Sequence, residues 1–472
     1  MPYLTWKSID WKRDCLPVFN CLKNKRNAFF LDSSLRRSGS GRYSFLGFEP
    51  FYVLKAKAGA NLFSDIRKLL GRYALGSRGR GLPFPCGAVG YFSYDLGLYL
   101  ENISSAQEND LGLPDVFLGF YDTIITLDHA AKKLFISSSG FPETNYLLAK
   151  KRAEHKLKQC LRYLSEIERH NTNGIARLPD GRLRSFRTRN DTNNLTSNFT
   201  REEYLRAIGR AKDYIKKGDI YQVNLAQRFQ AKTKASPPDL YERLRAASPS
   251  DFSAYLDCGD FQILSSSPER FLYFDGRKVI SRPMKGTRPR ARNPEGDRRN
   301  KLDLLKSAKD KAELLMIVDL LRNDLGRVCE YGSIKAMPLR TLEAYSTVYQ
   351  TTAEIEGILH KGKDRLDLLK ACFPGGSITG CPKIRSMQII AELEPQRRGI
   401  YTGALGYFGF NNTMDFNILI RTILQKKDAL FFSAGGGIVA DSKPRAEYDE
   451  TLVKARGMMR AIGADNIYEN LS

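Results

Sequence analysis

Hydrophobic and polar positions recur with two different periods along this chain of 472 residues. The clearest helical stretch begins at Thr200. Thr200 and Glu203 have the spacing of a capping box, in which a hydroxyl and a carboxylate satisfy free amide donors reciprocally. Tyr204, Ile208, Ala211 and Ile215 then recur at helical spacing, and Gly218 suits the C-terminal end. The next segment, Tyr221 to Phe229, switches to a period of two. Tyr221, Val223, Leu225 and Phe229 fall on one face of a predicted strand, with Gln222, Asn224 and Arg228 on the other. A face this polar either meets solvent or lines a polar pocket.

Towards the N-terminus, aromatic strand-like runs are separated by turn signals. Tyr43 to Phe48 and Gly87 to Tyr94 are two of them. Thr123 to Leu127, followed by Leu134 to Ile136, predicts a hairpin. A helix is expected near 145–167, and the polar run 171–198 reads as a linker or surface loop. The chain therefore divides into an N-terminal region, 1–140, a basic helix and linker, 141–198, and a C-terminal region, 199–465. No repeat of 20–50 residues is visible.

Composition narrows the class. A hydrophobic fraction of 42% supplies ample core and excludes wholesale disorder. No apolar run is long enough to span a bilayer, and residues 1–10 lack the basic-then-apolar pattern of a secretory signal. The eight Cys form no CxxC pair, so reduced thiols in a cytoplasmic protein are expected. The net charge of +23 raises nucleic acid, a membrane surface or an anionic substrate as partners. Basic residues are not interleaved with aromatics as in an RNA-recognition signature.

Four segments could carry chemistry. Ser265-Ser-Ser-Pro-Glu-Arg-Phe271 places Glu269 just after a strand-like run, either in a solvated turn or at a site. Arg282-Pro-Met-Lys-Gly-Thr-Arg-Pro-Arg290 sets Lys285 among three arginines. It reads as a basic surface loop, a phosphate-binding loop, or a lysine made nucleophilic by neighbouring cations. Gly286 would let a substrate approach the backbone. Asp310 with Glu313, and Glu447 with Glu450, are carboxylate pairs three apart, so each pair shares a helix face. Two such helices could hold a hard cation or could simply be solvated acidic helix starts. Lys454 follows Glu450 by one turn. Finally, Phe373-Pro-Gly-Gly-Ser-Ile-Thr-Gly-Cys-Pro-Lys383 leads into a helix with an amide-rich entry. Ala434-Gly-Gly-Gly-Ile-Val-Ala440 matches a dinucleotide fingerprint only formally, because Asp441-Ser-Lys-Pro444 follows at once. Three adjacent glycines could instead offer amides to a carboxylate.

Together these segments resemble the chorismate-utilising enzymes, component I of anthranilate synthase and of aminodeoxychorismate synthase. DIYQVNLAQRF, SSSPERF, KGTRPR, DLLRNDLGRV, FPGGSITGCPKIRSMQIIAELEP, IRT and AGGGIVADS occur in family order. The resemblance covers 200–462 strongly and the first 140 residues more weakly, through GRYSFLGFEP and GAVGYFSYDLG. It implies an α+β fold of two interleaved subdomains around packed β-sheets, with helices outside.

The resemblance also implies roles. Mg²⁺ would be held by Glu313 and Glu450, supported by Asp310 and Glu447. Glu269 looks like the general acid for the departing C4 hydroxyl. Gly286, Thr287, Ser377, Tyr401, Arg421, Lys454 and the amides of Gly435, Gly436 and Gly437 look like substrate binders. Gln222 stands where isochorismate-forming relatives carry a water-activating Lys, which disfavours water addition. Lys285 stands where anthranilate synthases usually carry Ala, and where aminodeoxychorismate synthases have a proposed nucleophile. Gln350 replaces a His common among relatives. Ammonia is expected from a separate glutamine amidotransferase subunit. Tryptophan is a possible N-terminal ligand, at Leu31-Asp-Ser33 and Arg42-Tyr-Ser44. The alternatives are anthranilate synthase component I, a basic nucleic-acid-binding protein, and an inactive regulatory subunit.

Overall fold

The computed structural model describes residues 3–35, 41–79, 81–172, 192–291, 293–345 and 348–464. Its frame is a twelve-stranded sheet and a nine-stranded sheet, with a three-stranded sheet beside them. The expected α+β architecture is what the sequence builds, and the two ends of the chain are interleaved within each large sheet. In the larger one, Phe29–Asp32 pairs with Phe252–Asp257, Ser253 opposite Asp32. In the other, Gly87–Phe92 pairs with Ala404–Gly409, Gly406 opposite Gly90. At that seam a Cβ on Gly90 would collide with the Phe117 carbonyl, and one on Gly406 with the Asp415 carbonyl. Only glycine admits so close a backbone approach.

Central strands explain the continuous apolar runs. All six positions are buried in Gly87–Phe92, Val116–Tyr121 and Thr123–Asp128. A strand covered on both faces has no reason to alternate. Buried tyrosines place their hydroxyls on backbone carbonyls: Tyr121 on Asn27 at 2.6 Å, Tyr204 on Leu225 at 2.8 Å. The predicted hairpin forms from Thr123–Asp128 and Lys133–Ser138.

The capping box at Thr200 and Glu203 opens the helix Arg201–Lys216, whose buried residues are Tyr204, Ala207, Ile208 and Ala211. The helix expected near 145–167 runs over Tyr146–Thr172. Part of the expected linker is structured. Thr192–Ser197 is a strand lying antiparallel to Gln222–Thr233. Its polar sequence hid it, because an edge strand needs few apolar residues, and here Leu195 is buried. The rest of that run, 173–191, lies outside the described residues. No helix is long and apolar enough to cross a membrane among the described residues.

Candidate active site

The C-terminal strands and helices converge on a cavity of about 250 Å³. Each wall comes from one of the segments singled out above. The polar face of Gln222–Thr233 turns inward: Gln222 is 1% exposed and Asn224 7%. Asn224 lines the cavity and Gln222 is buried beside Gly437, while Arg228, further along, pairs with Asp110 at 3.0 Å.

Glu269 follows the strand Gln262–Ser267 and is buried. The solvated-turn reading therefore fails. Ser377, in the short turn Gly376–Ile378, donates to Glu269 Oε1 at 2.5 Å. Burial pushes the Glu269 carboxyl up to about 7, against the pull of Ser377, Lys285 and Lys454. Near neutrality it is divided between its protonated and ionised forms.

Lys285 lies on the strand Met284–Pro289 and faces the same cavity. Its ammonium is disfavoured, but not by the neighbouring arginines. Arg282 pairs with Glu343, Arg288 with Asp303 and Asp310, and Arg290 with Asp297. Burial is what lowers the Lys285 pKa; Lys454 adds to it, while Glu313, Glu269 and Glu450 oppose it through space. Gly286, beside it, has φ of 69°, a left-handed conformation suited to glycine.

Thr287 and Gln350 sit side by side on paired strands. Gln350 Nε2 donates to Thr287 Oγ1, and Arg421 Nη2 donates to Gln350 Oε1, both at 3.3 Å. The amide thus braces Arg421, itself at a left-handed φ of 50°. Such a conformation in a non-glycine residue is held only by its surroundings. Tyr401 and Ser377 line the cavity alongside.

The three glycines lie within the strand Ala429–Ile438, opposite Ala226, Leu225 and Asn224. Their use is close approach. A Cβ on Gly437 would collide with Gln222 Nε2 and stand 3.5 Å from Lys285 Nζ. A Cβ on Gly436 would stand 3.4 Å from Glu447 Oε2 and 3.6 Å from Glu450 Oε1. The glycine at 436 therefore leaves space over two carboxylates.

Those carboxylates come from two helices, Ala308–Gly326 and Pro444–Ala461. Asp310 is engaged by Arg288 at 3.0 Å, and Glu450 by Lys454 at 2.7 Å. Lys454 also donates to the Gly435 carbonyl at 2.9 Å. Lys309 Nζ stands 3.9 Å from Glu313 and 3.8 Å from Glu447, bridging the two helices. Burial raises Glu313 and Glu447, while Lys454 lowers Glu450. Among the described residues no three His, Cys, Asp or Glu form a metal cage. Mg²⁺ asks for less: one or two carboxylates, with water or substrate oxygens completing the shell. An all-oxygen donor set, with a lysine ammonium between its halves and space above Gly436, fits such an ion.

Sequence reasoning missed Lys309, which lines the cavity. Its signal was present, since Lys309 and Glu313 are four apart on one helix face.

A second cavity, of about 350 Å³, lies where the N-terminal strands meet strands from the C-terminal region. Leu31, Asp32, Ser33, Arg42 and Tyr43 line it, with Arg270, Tyr273, Asp415 and Asn417 opposite. Ser44 instead donates or accepts at His129 Nε2, 2.8 Å away.

Comparison with known proteins agrees with this construction. The family described as chorismate binding enzyme matches residues 28–460. Aminodeoxychorismate synthase component 1 of Bacillus subtilis is 35% identical, covering 97% of this chain and 96% of that protein. Anthranilate synthase component 1 of Aquifex aeolicus is also 35% identical, covering 95% of this chain and 92% of that protein. The crystal structure of anthranilate synthase component I from Streptococcus pneumoniae superposes with a TM-score of 0.76 at 30% identity, covering 90% of this chain and 93% of that one. With the family match spanning both interleaved halves and every residue that lines the C-terminal cavity, the chain belongs to the chorismate binding enzymes.

Proposed function

We propose that this chain is an aminodeoxychorismate synthase component I, which aminates chorismate at C4 with ammonia from a separate glutamine amidotransferase subunit. One observation carries the reading: Lys285 lines the same cavity as Glu269, and desolvation there lowers its pKa from the ordinary lysine value. A surface lysine would be a cation and a poor nucleophile.

In the proposed sequence, neutral Lys285 Nζ attacks C2 of the ring. The ring double bonds shift towards C4, and the C4 hydroxyl leaves as water with a proton from Glu269. Ammonia then adds at C4, the double bonds shift back, and Lys285 departs from C2 as an amine. The new C4 ammonium returns one proton to Glu269. The balance is chorismate plus ammonia giving 4-amino-4-deoxychorismate and water. Arg421, braced by Gln350, and Tyr401 are assigned to the substrate carboxylates, because a guanidinium grips a carboxylate with two hydrogen bonds. Gln222 is a neutral amide and cannot serve as a base for water addition at C2.

Mg²⁺ is assigned to Glu313 and Glu450, with Asp310 and Glu447 supporting through water. Bound there, it would neutralise the ring carboxylate. Tryptophan is assigned to the N-terminal cavity, whose aromatic walls include Tyr43, Phe45 and Tyr273.

Anthranilate synthase component I is the second reading, favoured by a relative of that name at equal identity. Product analysis separates the two. Incubation with chorismate, Mg²⁺ and ammonium is expected to yield 4-amino-4-deoxychorismate, convertible to 4-aminobenzoate by a lyase. Fluorescent anthranilate with pyruvate release would overturn the assignment.

A further inference from the structure

Behind the cavity wall lies an ion pair taken wholly out of water. Arg398 is 6% exposed and Glu394 5%. The guanidinium meets the carboxylate in a fork, Nη2 to Oε1 at 2.6 Å and Nε to Oε2 at 2.9 Å. Glu394 Oε1 also accepts the Ala226 amide at 2.9 Å. Burying two charges is costly unless the geometry is good and the remaining donors are satisfied.

The destinations of those remaining donors matter here. Nη1 donates to the Ile378 carbonyl at 3.0 Å and to Thr402 Oγ1 at 3.3 Å. Nη2 donates to the Asn224 carbonyl at 2.8 Å. The guanidinium also lies 5.6 Å from the centre of the Tyr401 ring and 4.8 Å from that of Tyr94. Asn224, Ile378 and Tyr401 each line the substrate cavity, from three different segments of chain. Thr402, beside Tyr401, is held at a left-handed φ of 61°. A pair serving only the fold would need no contact with three walls of one site.

We propose that Arg398 is a positioning residue for chorismate binding: its guanidinium fixes the Tyr401 phenol against the strand that carries Asn224. Arg398 acts through Tyr401 from behind the wall. Lysine cannot replace it, because one ammonium cannot present a planar fork to Glu394 and still reach Ile378 and Asn224. The inference rests on Tyr401 as a substrate contact.

A double-mutant cycle on the Michaelis constant for chorismate tests it. R398K keeps a cation opposite Glu394, and Tyr401→Phe keeps the ring but removes the hydroxyl. Each is expected to raise KM about ten-fold, the effect of one lost hydrogen bond to a charged group, with kcat changed less than about three-fold. The double variant is expected to stay near ten-fold, since contacts that act in series do not add. Multiplication to about a hundred-fold would overturn the coupling. An unchanged KM in R398K with an impaired Tyr401→Phe would overturn the proposal alone. An unchanged KM in Tyr401→Phe would overturn the reading of Tyr401 as well. Should R398K not fold, Thr402→Ala removes one acceptor of the same guanidinium. It is expected to raise KM about three-fold, again without adding to Tyr401→Phe.

Discussion

The two cavities differ less in size than in how they treat charge. In the N-terminal one, charged groups meet opposite partners. Arg270 grips Asp415 with two hydrogen bonds of 3.1 and 3.0 Å, and its guanidinium lies against Phe252 and Tyr273. Arg245 holds Asp32 at 2.6 Å. In the C-terminal one, Asp310 and Glu450 are paired as well, with Arg288 and Lys454, but Glu269 is held by a hydroxyl rather than a cation. Lys285 feels its carboxylates through space. The first arrangement fixes shape. The second leaves an acid shifted up to about 7 and an amine shifted down from its ordinary value, the directions that favour proton transfer from the one and nucleophilic attack by the other. Adjacent residues divide the tasks, with Glu269 lining one cavity and Arg270 the other.

Lys285→Ala tests the sharpest side of this contrast. If the amine is the nucleophile, 4-amino-4-deoxychorismate formation should fall by about a thousand-fold or more, in line with loss of a covalent catalyst. Chorismate binding, read by equilibrium dialysis, should change far less. A variant aminating at C4 at the wild-type rate would remove the covalent role.

Glu269→Gln follows. Loss of a general acid should lower kcat by about 10²–10⁴. The same variant has a stability signature of opposite sign. The Glu269 pKa is raised from 4.5 to about 7 on folding. The folded state therefore holds its proton more tightly, and that contribution is present below pH 4.5 and lost as pH rises through about 7. Wild type should thus lose up to about 3 kcal/mol relative to Glu269→Gln across that window. Urea titrations at pH 5 and pH 8 would read it. A constant difference between the two proteins would mean that the carboxyl does not change its proton affinity on folding.

Arg270→Ala probes the other cavity. It leaves the partly buried Asp415 without its cation, at about 1–3 kcal/mol of stability. In protein that remains folded, kcat at saturating chorismate should stay within a few-fold of wild type. A loss as large as that of Lys285→Ala would show that the cavities are not separate in function.

Much of this was legible in the sequence, for physical reasons. The capping box at Thr200, the hairpin at 123–136 and the strand after Tyr221 depend on neighbours in sequence, so local pattern reveals them. Motif order gathered Lys285, Glu269, Arg421 and the carboxylate pairs, and the fold brings them to one cavity. What escaped depends on long-range contact. The sequence sets three arginines around Lys285, but in the fold Glu343, Asp303, Asp310 and Asp297 pair with them, and burial is what lowers its pKa. The strand Thr192–Ser197 is defined by its partner, not by its own residues. The fork of Arg398 on Glu394 gave no signal, since its other contacts, Asn224 and Ile378, are distant in sequence.

The smallest expected effect concerns Lys309, and it sharpens the contrast in charge. Its ammonium stands between carboxylates of two helices, about half exposed and nearly 4 Å from each. A pair of that length and exposure is worth no more than about 1 kcal/mol. Removing it as Lys309→Met leaves Glu313 and Glu447 without their shared cation. A divalent ion entering the same space then displaces nothing and meets a more negative site. Mn²⁺, titrated as a probe of the Mg²⁺ position by paramagnetic resonance, should bind Lys309→Met up to about five-fold more tightly than wild type. Unchanged affinity would show that Lys309 lies outside the ion's field. Weaker binding would show that its main work is to hold the two helices together, and a wild type that binds no Mn²⁺ would overturn the metal assignment itself.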